Sequence, residues 1–312
     1  MKQILAYILL FLGLSVNSLA QTAMDTVNLP EVKLQHSRLQ THAIGSNIQV
    51  LSPEIIGEGN SQNLSDFLTN HSAFYVKQYG ALATPTFRGT SSSHTLVLWN
   101  GIPLNSIANG LLDFSILPIT NFNSITIVHG GDGSVFGSGA MGGSIHFSSA
   151  TDLKAKNEIR LTTEKGSFGL ESKRIAFQYT LDDFAFSGSL FSLMDDNTFE
   201  FVNTTQIGHP TVVNNYGKIK SEQQQIDMTY RYDTRTQFML NYWASQNDRE
   251  VPQNMTTPFS DAKQYDNTKR VLFSSKHSFE NKLLKLKQAY LQEDFRYTEL
   301  LKNIDSRYLA ES

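Results

Sequence analysis

The chain has 312 residues, 40% of them hydrophobic and 18% charged, a balance too apolar for an intrinsically disordered protein. A formal net charge of −3 supplies no basic surface for phosphates, which argues against nucleic-acid binding. With no cysteine, there are no disulfides, no thiolate nucleophile, no cysteine-ligated zinc and no lipoprotein anchor. Residues 1–20 read as a cleaved export signal. Lys2 is its positive start, 4–16 its apolar run and Ser18-Leu19-Ala20 its small-residue cleavage site, which puts the cut before Gln21. The run is short for a membrane-spanning helix. Residues 21–44 are polar, contain one proline and read as an extended leader.

Residues 45–150 are glycine-rich, with short strands and short helices, the pattern of a small α+β domain. Alternation predicts a strand at 48–51, ended by a turn at Pro53. Ser61 is placed to cap a short helix that carries Leu64, Phe67 and Leu68 on one face. Further strands are expected at 74–77, 95–99, 125–129 and 144–148. Asn100-Gly101 has the chemistry of a two-residue hairpin turn.

From about residue 157 the pattern changes to alternation of period two. In 225–232 every even residue is apolar or aromatic and every odd one polar. A barrel wall between lipid and a wet lumen requires this pattern. Seven strands are expected: 157–165, 171–181, 184–194, 223–232, 236–246, 268–279 and 284–298. The links at 182–183, 233–235 and 280–283 are tiny, whereas those at 195–222 and 247–267 are long and polar. Outer-membrane barrels alternate in this way, with tight periplasmic turns and elaborated external loops. A soluble β-sandwich does not predict that alternation.

The densest signal lies between 85 and 147. It contains Phe87-Arg88-Gly89, then Val97-Leu98-Trp99-Asn100-Gly101-Ile102-Pro103-Leu104, then Ile125-Thr126-Ile127-Val128-His129-Gly130-Gly131, and closes on Phe136-Gly137-Ser138-Gly139-Ala140-Met141-Gly142-Gly143. These four blocks resemble, in order and spacing, the plug of TonB-dependent outer-membrane receptors, and the resemblance covers residues 45–150. Asn100 stands where that family often has Asp, Phe136 where it has Tyr, and His129-Gly130-Gly131 where it has Arg-Gly-Pro. The glycines at 137, 139 and 142 also spell G-x-G-x-x-G, but a dinucleotide site needs a helix next. The next stretch here, 144–148, is strand-like.

The resemblance implies a plug domain at 45–150 followed, at 151–312, by the first strands of a transmembrane antiparallel β-barrel. The branch it looks most like is the cobalamin transporters. Asp25-Thr26-Val27-Asn28-Leu29 resembles the TonB box, which pairs as an added strand with TonB of the inner membrane. Arg88 is implied at the plug–barrel interface, facing carboxylates of the wall. The outward plug loops implied to contact a small-molecule or metal-chelate ligand carry Tyr79, Ala81, Leu82, Asn105, Ser106 and Asn109. The implied location is the outer membrane and the implied activity TonB-dependent import of cobalamin or a ferric siderophore. A signalling receptor of the same family and a secreted β-rich adhesin remain open as alternatives. No histidine spacing supports a metal, no acid–base pair or nucleophile elbow is present, and neither a cofactor nor an enzymatic activity is expected. Plugged barrels use about 22 strands, on the order of 440 residues at roughly 20 per strand and loop. About 160 come after residue 150, so the sequence predicts the N-terminal part of such a receptor, as a fragment of a longer gene or as a truncated product that does not transport alone.

Overall fold

A strand rich in β-branched residues needs partners for its open backbone edges, and among the described residues a five-stranded sheet, an eight-stranded sheet and two two-stranded hairpins supply most of them. In the computed structural model, residues 47–58, 63–72, 75–79, 82–87, 89–106, 110–119, 122–130, 136, 138–149, 151–252, 255–256 and 259–312 are described, and all lie in one unit, Gly45–Ser312.

The front of this unit is α+β. Strands β1 (Asn47–Leu51), β4 (Thr95–Trp99), β5 (Ile102–Pro103), β6 (Ser124–His129) and β7 (Gly143–Ser148) form a sheet in the order β1-β6-β7-β4-β5. Only the β4–β7 pairing is parallel. A separate hairpin joins β2 (Tyr75–Tyr79) to β3 (Leu82–Thr86). Asn100 and Gly101 both have positive φ, 48° and 83°, and Trp99 pairs with Ile102, the tight turn expected of an Asn-Gly pair.

Two local expectations are corrected. Pro53 does not end a strand in a turn; it opens helix α1 (Pro53–Glu58), where its fixed φ is already helical and its missing N–H costs nothing. The cap of helix α2 (Leu64–His71) is Asn63, whose Oδ1 accepts from the N–H of Asp66 at 3.0 Å. Ser61 lies outside the described residues. Leu64, Phe67 and Leu68 are buried on one face, as expected from their spacing.

The second sheet is a wall of eight antiparallel strands: β8 (Glu158–Lys165), β9 (Glu171–Leu181), β10 (Phe184–Asp195), β13 (Ile219–Arg231), β14 (Thr236–Glu250), β15 (Lys263–Ser278), β16 (Leu283–Glu299) and β17 (Ile304–Glu311). All seven expected strands are present. The eighth, β17, lies beyond the expected set, and several strands run further than their apolar pattern. The long link between β10 and β13 holds a small hairpin, β11 (Glu200–Val202) with β12 (Thr211–Val213). Strands β9 to β16 of the wall have 11 to 17 residues, enough to cross a bilayer at a tilt. Among the described residues no helix is long and apolar enough to do so, which leaves crossing by strands unaffected.

The wall is inverted relative to a soluble sheet. Along β13 the buried side chains are Ser221, Gln223, Gln225, Asp227 and Thr229, and the exposed ones include Ile226 and Tyr230. Outward positions across neighbouring strands form apolar rows: Met228 pairs with Leu240, and Leu240 with Phe273. The inward polar face packs on the front unit. The front unit's core, built from Val97, Trp99, Phe114, Ile125, Ile127 and Phe147 among others, continues into the wall through Trp243 and Leu272.

Candidate functional site

The two ends of the wall differ. Strands β9 and β10, β13 and β14, and β15 and β16 are joined by short turns at one end. At the other end lie the long links, 196–218 and 251–262. This polarity orients the front unit, because its contacts divide by strand position.

Near the short-turn end, the β4–β5 turn and the segment after β7 grip the wall. Trp99 Nε1 donates to Ser149 Oγ at 3.0 Å, and Ser149 Oγ donates to Asp227 Oδ1 at 3.3 Å. Asn241 Nδ2 and Gln225 Nε2 also donate to the Asp227 carboxylate, at 2.6 and 2.8 Å, so this buried group has donors on several sides. Asn100 Oδ1 accepts from the Ser149 N–H at 3.0 Å, while Lys287 Nζ donates to the Asn100 carbonyl. Asn100 therefore replaces the family's Asp without leaving its oxygen unused. Gly101 is favoured by its left-handed φ; a Cβ there would meet only the movable Nζ end of Lys287, at 2.6 Å.

Midway, aromatic rings close the interface. Trp243 of β14 meets Trp99 edge-on at 5.7 Å and Phe122 at 5.7 Å, and Phe122 stacks on Phe147 at 4.2 Å. Arg270 of β15 lies 4.4 Å over the Trp243 ring, a cation–π contact on the wall's inner face.

Near the long-loop end the contacts are one ion pair and polar hydrogen bonds. Arg249, 1% exposed, places Nη2 at 2.5 Å from Oδ2 of Asp113, which is 10% exposed, and Nη1 at 2.8 Å from Ser115 Oγ. Ser106 Oγ donates to Glu293 Oε2 of β16 at 3.1 Å. Gln223 Nε2 donates to the Ile116 carbonyl at 3.1 Å.

The expected ligand-contact residues are only partly brought together. Asn105 and Ser106 lie together at the long-loop end, but their side chains are engaged. Asn105 accepts from the Val97 N–H and donates to the carbonyls of Thr95 and Gly110, so it holds its own turn. Leu82 is exposed, and the N–H of its neighbour Ala83 donates to Asp113 Oδ1 at 3.1 Å. Tyr79 is the last residue of β2; its side chain lies outside the described residues. Ala81, Asn109, Arg88 and the stretch Asp25, Thr26, Val27, Asn28 and Leu29 also lie outside them. Sequence reasoning misses Asp113, Arg249 and Trp243. The expected strand ends at 246, which puts Arg249 in a loop. An arginine continuing the inward alternation of Asn241, Trp243, Ser245 and Asn247 is the signal that could have found it.

One titratable group of the front unit is strongly shifted. His146 of β7 has Nε2 2.8 Å from Ser144 Oγ and its ring edge-on to Phe136 at 4.9 Å. Burial pushes its pKa down to about 4. No group of three or more histidine, aspartate or glutamate side chains able to hold a metal occurs among the described residues.

Residues 41–144 match the family model of the TonB-dependent receptor plug domain. This stretch is such a plug. By sequence the chain is similar to the vitamin B12 transporter BtuB of Vibrio cholerae, at 30% identity over 127 residues, which is 40% of this chain and 20% of that protein. In fold it resembles the siderophore receptor PiuA of Acinetobacter baumannii, with a TM-score of 0.62 and 14% identity over 81% of this chain and 37% of that one. The ferric yersiniabactin uptake receptor FyuA of Yersinia pestis gives 0.63 and 15%, over 82% and 42%. The chain thus spans less than half of these structures, and its match covers a fifth of the B12 transporter. These relatives are transporters and receptors, not enzymes. The plug with its adjoining antiparallel wall is the arrangement that the structural neighbours share.

Proposed function

We propose that this chain belongs to an outer-membrane receptor that imports a scarce nutrient, a cobalamin or a ferric chelate, with energy delivered through TonB. The observation that carries the reading is the inverted wall. Its outward face is apolar, as lipid demands, and its polar inward face is covered by the plug. A soluble β-sandwich or adhesin would bury the apolar face instead. On this reading the export signal at 1–20 directs the chain out of the cytoplasm. The ligand meets the plug loops at the long-loop end, around Leu82, Asn105 and Ser106, with Tyr79, Ala81 and Asn109 alongside. Asp25 to Leu29 pairs with TonB by strand addition, which depends on main-chain hydrogen bonds. Arg88 joins the plug to the wall. A polar cavity of about 290 Å³ between Ile56 and Phe122 of the plug and Arg174, Gln225 and Asp227 of the wall supports a wet lumen.

The test is uptake of radiolabelled cyanocobalamin, or of a ferric siderophore, by cells carrying the gene in its native context. Val27→Pro removes a main-chain donor from the candidate TonB box. Uptake falls to background while binding at the cell surface persists. Uptake at the wild-type rate in that variant would sink the TonB assignment. Recovery of the wild-type protein in the soluble fraction would sink the membrane reading.

A further inference from the structure

We propose that Asp113 is a positioning residue that clamps the two outward plug loops into one arrangement against the wall. The proposal rests on the import-receptor reading for calling those loops ligand-facing. Asp113 joins three chain segments that are remote in sequence. Its Oδ1 accepts from the Ala83 N–H at 3.1 Å, beside Leu82 at the start of β3, and from the Ser115 N–H and hydroxyl at 3.0 and 2.7 Å. Its Oδ2 accepts from Arg249 of β14 at 2.5 Å. The partners Ala83 and Arg249 stand 30 and 136 positions away.

The second loop is bonded to the chain segment that leads into Asp113, not to the carboxylate itself. Asn105 bonds twice to β4, at the Val97 N–H and the Thr95 carbonyl, and once to the Gly110 carbonyl. Ser106 accepts from the Gly110 N–H and donates its own N–H to Leu111, two residues before Asp113. Ser106 also reaches Glu293 of the wall. The first loop is therefore bonded to one anionic group, the second joins that group through the covalent stretch from Leu111 to Asp113, and the group is bonded to one buried guanidinium. An arginine fork fixes direction as well as distance. Loops held in advance lose less freedom when a ligand orders them, so the clamp raises affinity without touching the ligand.

Asparagine at 113 separates the two halves of the clamp. Its carbonyl oxygen still accepts from Ala83 and Ser115. Its amide nitrogen is a donor and cannot accept from Arg249. The experiment uses the full chain purified in detergent, with cyanocobalamin and ferric enterobactin as probes in calorimetric titrations, alongside limited proteolysis mapped to 80–84 and 105–112. Ile127→Ala, a cavity in the plug core away from these loops, serves as a control for lost stability. Asp113→Asn weakens the bound probe about tenfold and speeds cleavage in both loops. Arg249→Lys, which keeps the charge, recovers part of each effect relative to Arg249→Met. Ile127→Ala leaves both readouts within about twofold of wild type. Equal losses in Ile127→Ala and Asp113→Asn would overturn the clamp, as would unchanged cleavage and affinity in Asp113→Asn. If wild type binds neither probe, the import-receptor reading loses its support, and the cleavage pattern still decides the clamp.

Discussion

Asp113 of the plug and Arg249 of the wall form an ion pair at 2.5 Å with the guanidinium 1% exposed. Arg249 lies one residue from the end of β14, where the long link 251–262 begins. The plug is thus anchored ionically at the long-loop end and by aromatic and amide contacts below. Removing one partner of a buried pair leaves the other charge without compensation, at a cost of about 3–5 kcal/mol. Arg249→Ala is expected to lower the stability of the plug–wall contact by about 3 kcal/mol, at the lower end because Asp113 is 10% exposed. Urea unfolding in detergent micelles checks it.

The same measurement has a built-in probe. The chain contains two tryptophans, Trp99 on the plug and Trp243 on the wall, with ring centroids 5.7 Å apart. Trp243 is fully buried against Trp99 and Phe122 and beneath Arg270. Trp243→Ala should cost about 3–5 kcal/mol and red-shift the emission of Trp99 as water enters. Trp243→Phe should keep most of the stability. Emission unchanged in the alanine variant would contradict the packed interface.

Leu240 sits on the outward face between Met228 and Phe273. An arginine at the lipid midplane of a barrel costs about 2–4 kcal/mol. Leu240→Arg is expected to impair insertion into lipid vesicles, whereas Leu240→Phe is not. Normal insertion of the arginine variant would mean that this face does not meet lipid.

His146 gives a pH prediction with a definite sign. Its folded pKa, lowered by burial to about 4, lies below the ordinary 6.5. Between those values the unfolded chain binds a proton that the folded plug refuses. The contribution of His146 to stability is therefore complete above about pH 6.5 and declines as the pH falls toward about 4. Melting midpoints taken across this window should drop for wild type and drop less for His146→Gln. Parallel curves for the two proteins would exclude His146 as the source.

Much of the architecture is legible in the sequence because it is local. The period-two alternation of 225–232 names a strand without reference to anything else, and Asn100-Gly101 names a hairpin turn because both residues tolerate positive φ. Strand ends are less legible. β14 runs to Glu250 because its pairing with β15 continues through Arg249 and Gln264, although the apolar pattern fades at 246. β17 is hidden for a similar reason: Asp305 and Arg307 pair with Arg296 and Asp294 of β16, and such charges read as loop until a neighbouring strand is supplied.

By itself the sequence determined that the strands between 157 and 298 alternate, that their links alternate in length, and that a glycine-rich domain resembling a plug precedes them. It also left two faces for every strand, since a period of two reads the same from either side. Only the tertiary structure decided which face turns inward, because the plug presses on the face that carries Gln223, Gln225, Asp227 and Thr229. Only the tertiary structure brought Asp113 to Arg249, since a contact across 136 positions depends on how the plug packs in the wall and not on any local pattern.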